Sequence, residues 1–154
     1  MQGIGIDLSL TALAQQNAAR VKLWHHGETS PWSGADWSNA MQGEAGEAGN
    51  IVKKLRRHET GLATARDLTV PILLDNLADE IADTIIYADL LAAHYGLNMA
   101  AAVIRKFNLV SERENWPQFL YPSAWLEHPD LRDLVIHHNV TRNQVPCGGC
   151  HWCA

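Results

Sequence analysis

Four stretches of helical periodicity, each closed by a breaker, organise the chain. Leu10, Leu13, Ala14, Val21 and Trp24 recur at helical spacing and predict a first helix over about 10–24, with Ser9 or Thr11 near its cap. GETSPWSG follows as a loop by composition, broken by Pro31 and Gly34. A second helix is predicted from Trp37 to Arg57, with Trp37, Met41, Ala48, Ile51 and Leu55 along one side. Gly61 is a stop signal in the next loop, and Pro71 suits the first turn of a third helix, Val70 to Tyr95. That helix carries a main apolar stripe of Leu74, Leu77, Ile81, Ile85, Ala88 and Ala92. Ile72, Ile86, Leu90 and Ala93 lie opposite, so it is apolar nearly all round. A chain this small is not expected to bury both sides alone, which predicts burial in a homo-oligomer. Gly96 closes this helix, and Asn98 caps a fourth, Met99 to about Arg113, with Val103, Phe107 and Val110 inward. The expected class is all-α, a bundle of four main helices.

The second helix has an anomaly on its apolar side. Glu44 and Glu47 fall among the hydrophobes there, where like charges repel and desolvation is costly. Glu80 and Asp83 repeat the spacing on the third helix, bordering its apolar stripe, with Asn76 and Tyr87 a turn to either side. One such pair is common on solvated surfaces; two pairs on two long helices are far more specific. If the helices pack antiparallel, four carboxylates converge on one pocket, and a divalent cation offsets their repulsion. Gly43, Gly46 and Gly49 thread the same helix, each costing roughly 1 kcal/mol against alanine. They are either tolerated in a packed helix or admit a close neighbour or substrate. Trp24, Trp32 and Trp37 gather just ahead of the acids; core packing and a base-stacking wall are both open to them.

GEAGEAGNIVKKLRR and LADEIADTIIYADLLAAHYGLNMAAAVIRKFNLVSER together resemble the MazG-like, all-α nucleoside triphosphate pyrophosphohydrolases, over roughly residues 10–114. Glu44, Glu47, Glu80 and Asp83 fill the four acidic positions of that family's pattern. Lys106, Phe107, Asn108, Ser111 and Arg113 fill its closing run. The resemblance implies a helical pyrophosphohydrolase domain over 1–115, assembled as a homodimer or homotetramer. It implies hydrolysis of a (deoxy)nucleoside triphosphate to the monophosphate and pyrophosphate. Two or three Mg2+ ions, with Mn2+ able to substitute, would sit on the four acids. Glu47 would double as general base, and Lys106 and Arg113 would face phosphate oxygens. Trp37, Tyr87 and Asn108 would make further substrate contacts.

Composition narrows the rest. A formal net charge of -5 over 154 residues argues against duplex nucleic acid as a partner, because phosphate contacts need a basic face. MQGIGIDLSL shows no secretory pattern, and no uncharged apolar stretch reaches membrane-spanning length. A cytoplasmic protein is expected. Residues 116–154 read as an irregular extension, since prolines at 117, 122 and 129 allow only short helices. All three cysteines fall at its end, as Cys147, Cys150 and Cys153 around His151. That spacing suits a structural Zn2+, while free thiols on a tail are the plainer reading. Two rival functions stand beside hydrolysis: a non-catalytic helical interaction module whose acids bind a basic partner, and a zinc-tail regulator.

Overall fold

The computed structural model describes residues 8–24 and 32–122. They form four α-helices: α1 (Leu10–Trp24), α2 (Gly34–Glu59), α3 (Val70–His94) and α4 (Met99–Arg113), and no strand occurs among them. They divide into two compact units between Leu97 and Asn98, so α1 to α3 belong to one and α4 to the other.

Local chemistry sets the helix ends. Ser33 opens α2 with a reciprocal cap: its Oγ accepts from the Asp36 backbone N–H at 3.3 Å, and Asp36 accepts from the Ser33 N–H at 2.8 Å. These hydrogen bonds hold the Asp36 carboxyl below the usual carboxylate range. At its far end, Thr60 and the left-handed Gly61 (φ 71°) turn the chain out. Pro71 sits in the first turn of α3, where its missing N–H costs no hydrogen bond. Gly96 (φ 66°) ends α3, and Leu97 donates back to Ala92 O at 2.9 Å. Asn98 caps α4 by accepting from Ala101 N–H at 3.0 Å.

The pairing of α2 with α3 is antiparallel, and the contacts show its register. Gly34 at the start of α2 lies under the ring of Tyr95, just past the end of α3; a Cβ there would come within 2.6 Å of Tyr95 Cζ. Further along, Trp37 meets Tyr87 with ring centroids 6.3 Å apart. At the other end, Arg57 pairs with Asp67 at 3.1 Å and the His58 ring bonds to Leu68 O at 2.9 Å. The loop joining the helices is thereby folded back onto the end of α2. Asp67 also accepts from Thr64 N–H at 2.7 Å, the main reason its carboxyl is held low, with Arg57 a smaller one.

Trp37 and Ile51 from α2 and Leu73, Leu90 and Ala92 from α3 are the buried apolar residues of this unit. Complete burial of a leucine such as Leu73 is worth about 1.5–3 kcal/mol. Along α3 the buried side differs from the one periodicity suggests. Leu74, Ile81 and Ile85 are 51%, 49% and 47% exposed, whereas Leu90, expected on the back, is 5% exposed. An all-round apolar helix has no preferred direction of its own; its neighbours choose the face. Here α2 lies over the side carrying Leu73 and Glu80, and α1 also packs on α3.

A buried polar bond marks the α1–α3 contact. Asn17 Nδ2 donates to Asp89 Oδ2 at 2.9 Å with both residues buried, and Asn17 Oδ1 accepts from Arg20 at 3.2 Å. Asn17→Ala strips the carboxylate of this donor and leaves a void. The expected loss is about 1–3 kcal/mol, read as a lower midpoint in thermal or urea unfolding. A change below about 0.5 kcal/mol would show that this bond does not hold α1 in place.

Candidate metal centre

The antiparallel register brings the two acidic pairs level. At 1.5 Å per residue, Glu47 stands about 18 Å from the loop end of α2, and Glu80 about 15 Å from that of α3. Glu44, Glu47 and Glu80 each offer a carboxylate oxygen, and these three oxygens lie within 4.8 Å of one another. Glu44 and Glu80 are half-buried and Glu47 is exposed, so the cluster opens to solvent on the Glu47 side. Asp83 is not part of this tight group, yet it is near enough for its charge to act on Glu80.

Holding these groups together costs free energy, and Glu80 bears it. Its carboxyl is pushed above the ordinary glutamate range, first by burial and then by a hydrogen bond to Glu44 that only the protonated acid can donate. The charges of Glu47, Glu44 and Asp83 add to this. The donor set fits a hard divalent cation, which takes carboxylate oxygens at about 2.0–2.6 Å. Opposed ligands on one ion are then about 4–5 Å apart, the spread found here.

The aromatic group lies toward the start of α2. Trp37 is 3% exposed, covered by Trp32 at a centroid distance of 4.5 Å and by half-buried Tyr87 at 6.3 Å. Its ring serves as core, and the outward ring of the group is that of Trp32, 38% exposed. Gly43, Gly46 and Gly49 face open space: a Cβ at each would meet nothing within 4 Å. A close neighbour within the described residues is therefore not what these glycines admit.

Lys106, Asn108 and Arg113 belong to the second unit. Lys106 borders a cleft of about 710 Å³ with Val103, Phe107, Val110 and Trp116. Asn108 is committed to the backbone of Leu120, donating to its O and accepting from its N–H, both at 2.8 Å. Arg113 pairs with Glu114 at 2.7 Å. Cys147, Cys150, His151 and Cys153, proposed for Zn2+, lie outside the described residues, as do the short helices expected after Pro122. Sequence periodicity overlooks the buried Asn17–Asp89 bond, whose signal was a lone aspartate in the apolar run YADLLAA.

No family model, curated protein or solved structure matches the chain.

The raised Glu80 carboxyl gives a pH test. A folded-state pKa above the unfolded one contributes stability that is fully present below the unfolded value and lost as pH rises through the folded one. In EDTA, Glu80→Gln is expected to melt above wild type at neutral pH, and the gap should close toward pH ~4, where wild-type Glu80 is protonated. Excess Mn2+ should reverse the order. A variant that melts lower than wild type in EDTA at every pH would make Glu80 a structural residue.

Proposed function

We propose that the α2–α3 hairpin is a metal-dependent hydrolytic site acting on the α–β phosphoanhydride of a (deoxy)nucleoside triphosphate, releasing the monophosphate and pyrophosphate. The observation that carries this reading is the convergence of Glu44, Glu47 and Glu80 from two helices onto a space one cation fills. The MazG-like resemblance in the same residues supports the reaction class.

When bound, Mg2+ or Mn2+ supplies Lewis-acid polarisation of phosphate oxygens and an acidified water. Glu44 and Glu80, the half-buried pair, would hold the cation from opposite helices. Glu47 faces solvent and has the freedom to orient a water and take its proton. Asp83 adds negative charge at the border of the cluster. The ring group of Trp32, Trp37 and Tyr87, two turns from Glu44 along α2, offers an apolar wall for a base. The exposed apolar stripe of Leu74, Ile81 and Ile85 supports assembly as a homodimer or homotetramer. Among the described residues no helix is long and apolar enough to cross a membrane.

Two measurements test this. A panel of nucleoside triphosphates with Mg2+ is expected to give pyrophosphate, and Glu47→Gln to lower kcat/KM by about 100-fold or more with the fold retained. Orthophosphate alone, or full activity in Glu47→Gln, would refute the reaction. For assembly, Ile85→Lys should lower the mass measured by light scattering; an unchanged oligomer, or a monomeric wild type, would remove that stripe from the interface.

A further inference from the structure

The basic run after the acids, KKLRR, holds four cations with different fates. Arg56 pairs with Glu59 at 2.9 Å and Arg57 with Asp67 at 3.1 Å. Lys53 and Lys54 are exposed and take part in no ion pair among the described residues. Only Lys54 returns to the flank of the site. It follows Glu47 by seven residues, two turns, which places it about 10 Å along α2 and within about 20° of the same side. Lys53 falls on the far side of the helix. Helical Cα–Cβ bonds tilt toward the N-terminus, so Lys54 leans back over the turn that separates it from Glu47. Beneath that turn Ile51 is buried, and the α2–α3 register sets it opposite the equally buried Leu73. The flank therefore runs from the carboxylates, past a packed apolar contact, to an exposed ammonium that forms no ion pair among the described residues.

Three chemistries follow one another along α2 at intervals of two turns: Trp37, with the rings of Trp32 and Tyr87 against it, then the carboxylates, then Lys54. This order has a direction. A ligand whose phosphate chain is held at the carboxylates and whose base lies toward the rings has its terminal phosphate directed along this flank toward the end of α2.

Building on the hydrolytic reading, we infer that Lys54 binds the terminal phosphate of the triphosphate and fixes its direction in the site. Lysine suits the role: a compact ammonium on a flexible stem meets a phosphate oxygen as a point charge. It is a positioning residue for the part of the substrate that leaves as pyrophosphate.

The test is titration calorimetry of the full chain with two probes, Mn2+ alone and inorganic tripolyphosphate added to the Mn2+-loaded protein. Lys54→Gln is expected to weaken tripolyphosphate binding about ten-fold, the scale of one hydrogen bond to a charged group, while Mn2+ affinity stays within about two-fold. Lys54→Arg should keep most of the affinity, and Lys53→Gln should match wild type. A merely structural role for Lys54 would move the Mn2+ affinity as well. Equal losses in Lys53→Gln and Lys54→Gln would mean diffuse surface charge and overturn the assignment. So would unchanged tripolyphosphate binding in Lys54→Gln, or none in wild type. Glu80→Gln separates the two levels: if it abolishes Mn2+ binding while Lys54→Gln changes nothing, the metal centre stands and only Lys54 falls. If Glu80→Gln binds Mn2+ as wild type does, the metal centre falls and the assignment of Lys54 falls with it.

Discussion

Repulsion among the carboxylates of two helices is the constraint on which the rest of this unit depends. Glu44, Glu47 and Glu80 are brought within 4.8 Å by apolar contacts they do not share. Trp37, Ile51 and Leu73 are buried on the same faces, and an antiparallel hairpin cannot bury them without bringing the acids together. The hydrophobic contribution is large: a few fully buried side chains at about 1.5–3 kcal/mol each exceed the cost of a partly solvated charge cluster. Glu80 bears the strain: its carboxyl is held above the ordinary glutamate range, first by burial and then by its hydrogen bond with Glu44.

How much of this was legible in the sequence differs by level. Most helix limits were, because they rest on local chemistry: Asn98 and Gly96 act within a turn of where they stand, and Pro71 marks the start of α3 wherever α3 packs. The start of α2 was not: Gly34, expected as a loop breaker, is its first residue, because the Ser33–Asp36 cap opens the helix one turn before Trp37. The acidic pairs were legible as well, since three-residue spacing on one helix fixes a common side. The buried side of α3 was not. Its hydrophobes surround the axis, so periodicity gives no direction, and the placing of α1 and α2 buries Leu90 while leaving Leu74, Ile81 and Ile85 exposed. Trp37 shows the same limit. Its position ahead of Glu44 was legible, but its covering by Trp32 and Tyr87 is a tertiary fact.

The same hairpin explains why the loop between the acidic helices can be long without loosening the site. Residues 60–69 are tied to the end of α2 through Arg57–Asp67, His58–Leu68 and the Asp67–Thr64 turn. Each bond is small, since the ion pair is partly solvated and such pairs are worth about 0–1 kcal/mol. Together they order the loop, while the helix faces set the register. A slip of one residue would move Glu80 by about 1.5 Å and rotate it by about 100°, which separates it from Glu44 altogether.

Dividing the carboxylates between helices would make a bound cation a crosslink. Carboxylates on one helix would hold an ion without restraining the fold; with Glu80 facing Glu44 and Glu47 across the hairpin, the same ion would bond α2 to α3. The sign of the interaction then depends on occupancy. Empty, the cluster pushes the helices apart and raises the Glu80 carboxyl; filled, it would draw them together, and binding would add stability by mass action in proportion to the logarithm of free cation. Because the empty cluster opposes the fold without undoing it, the carboxylates stand together before any ion arrives. Little conformational entropy would then be spent on binding a cation, which suits a cluster with one side open to solvent.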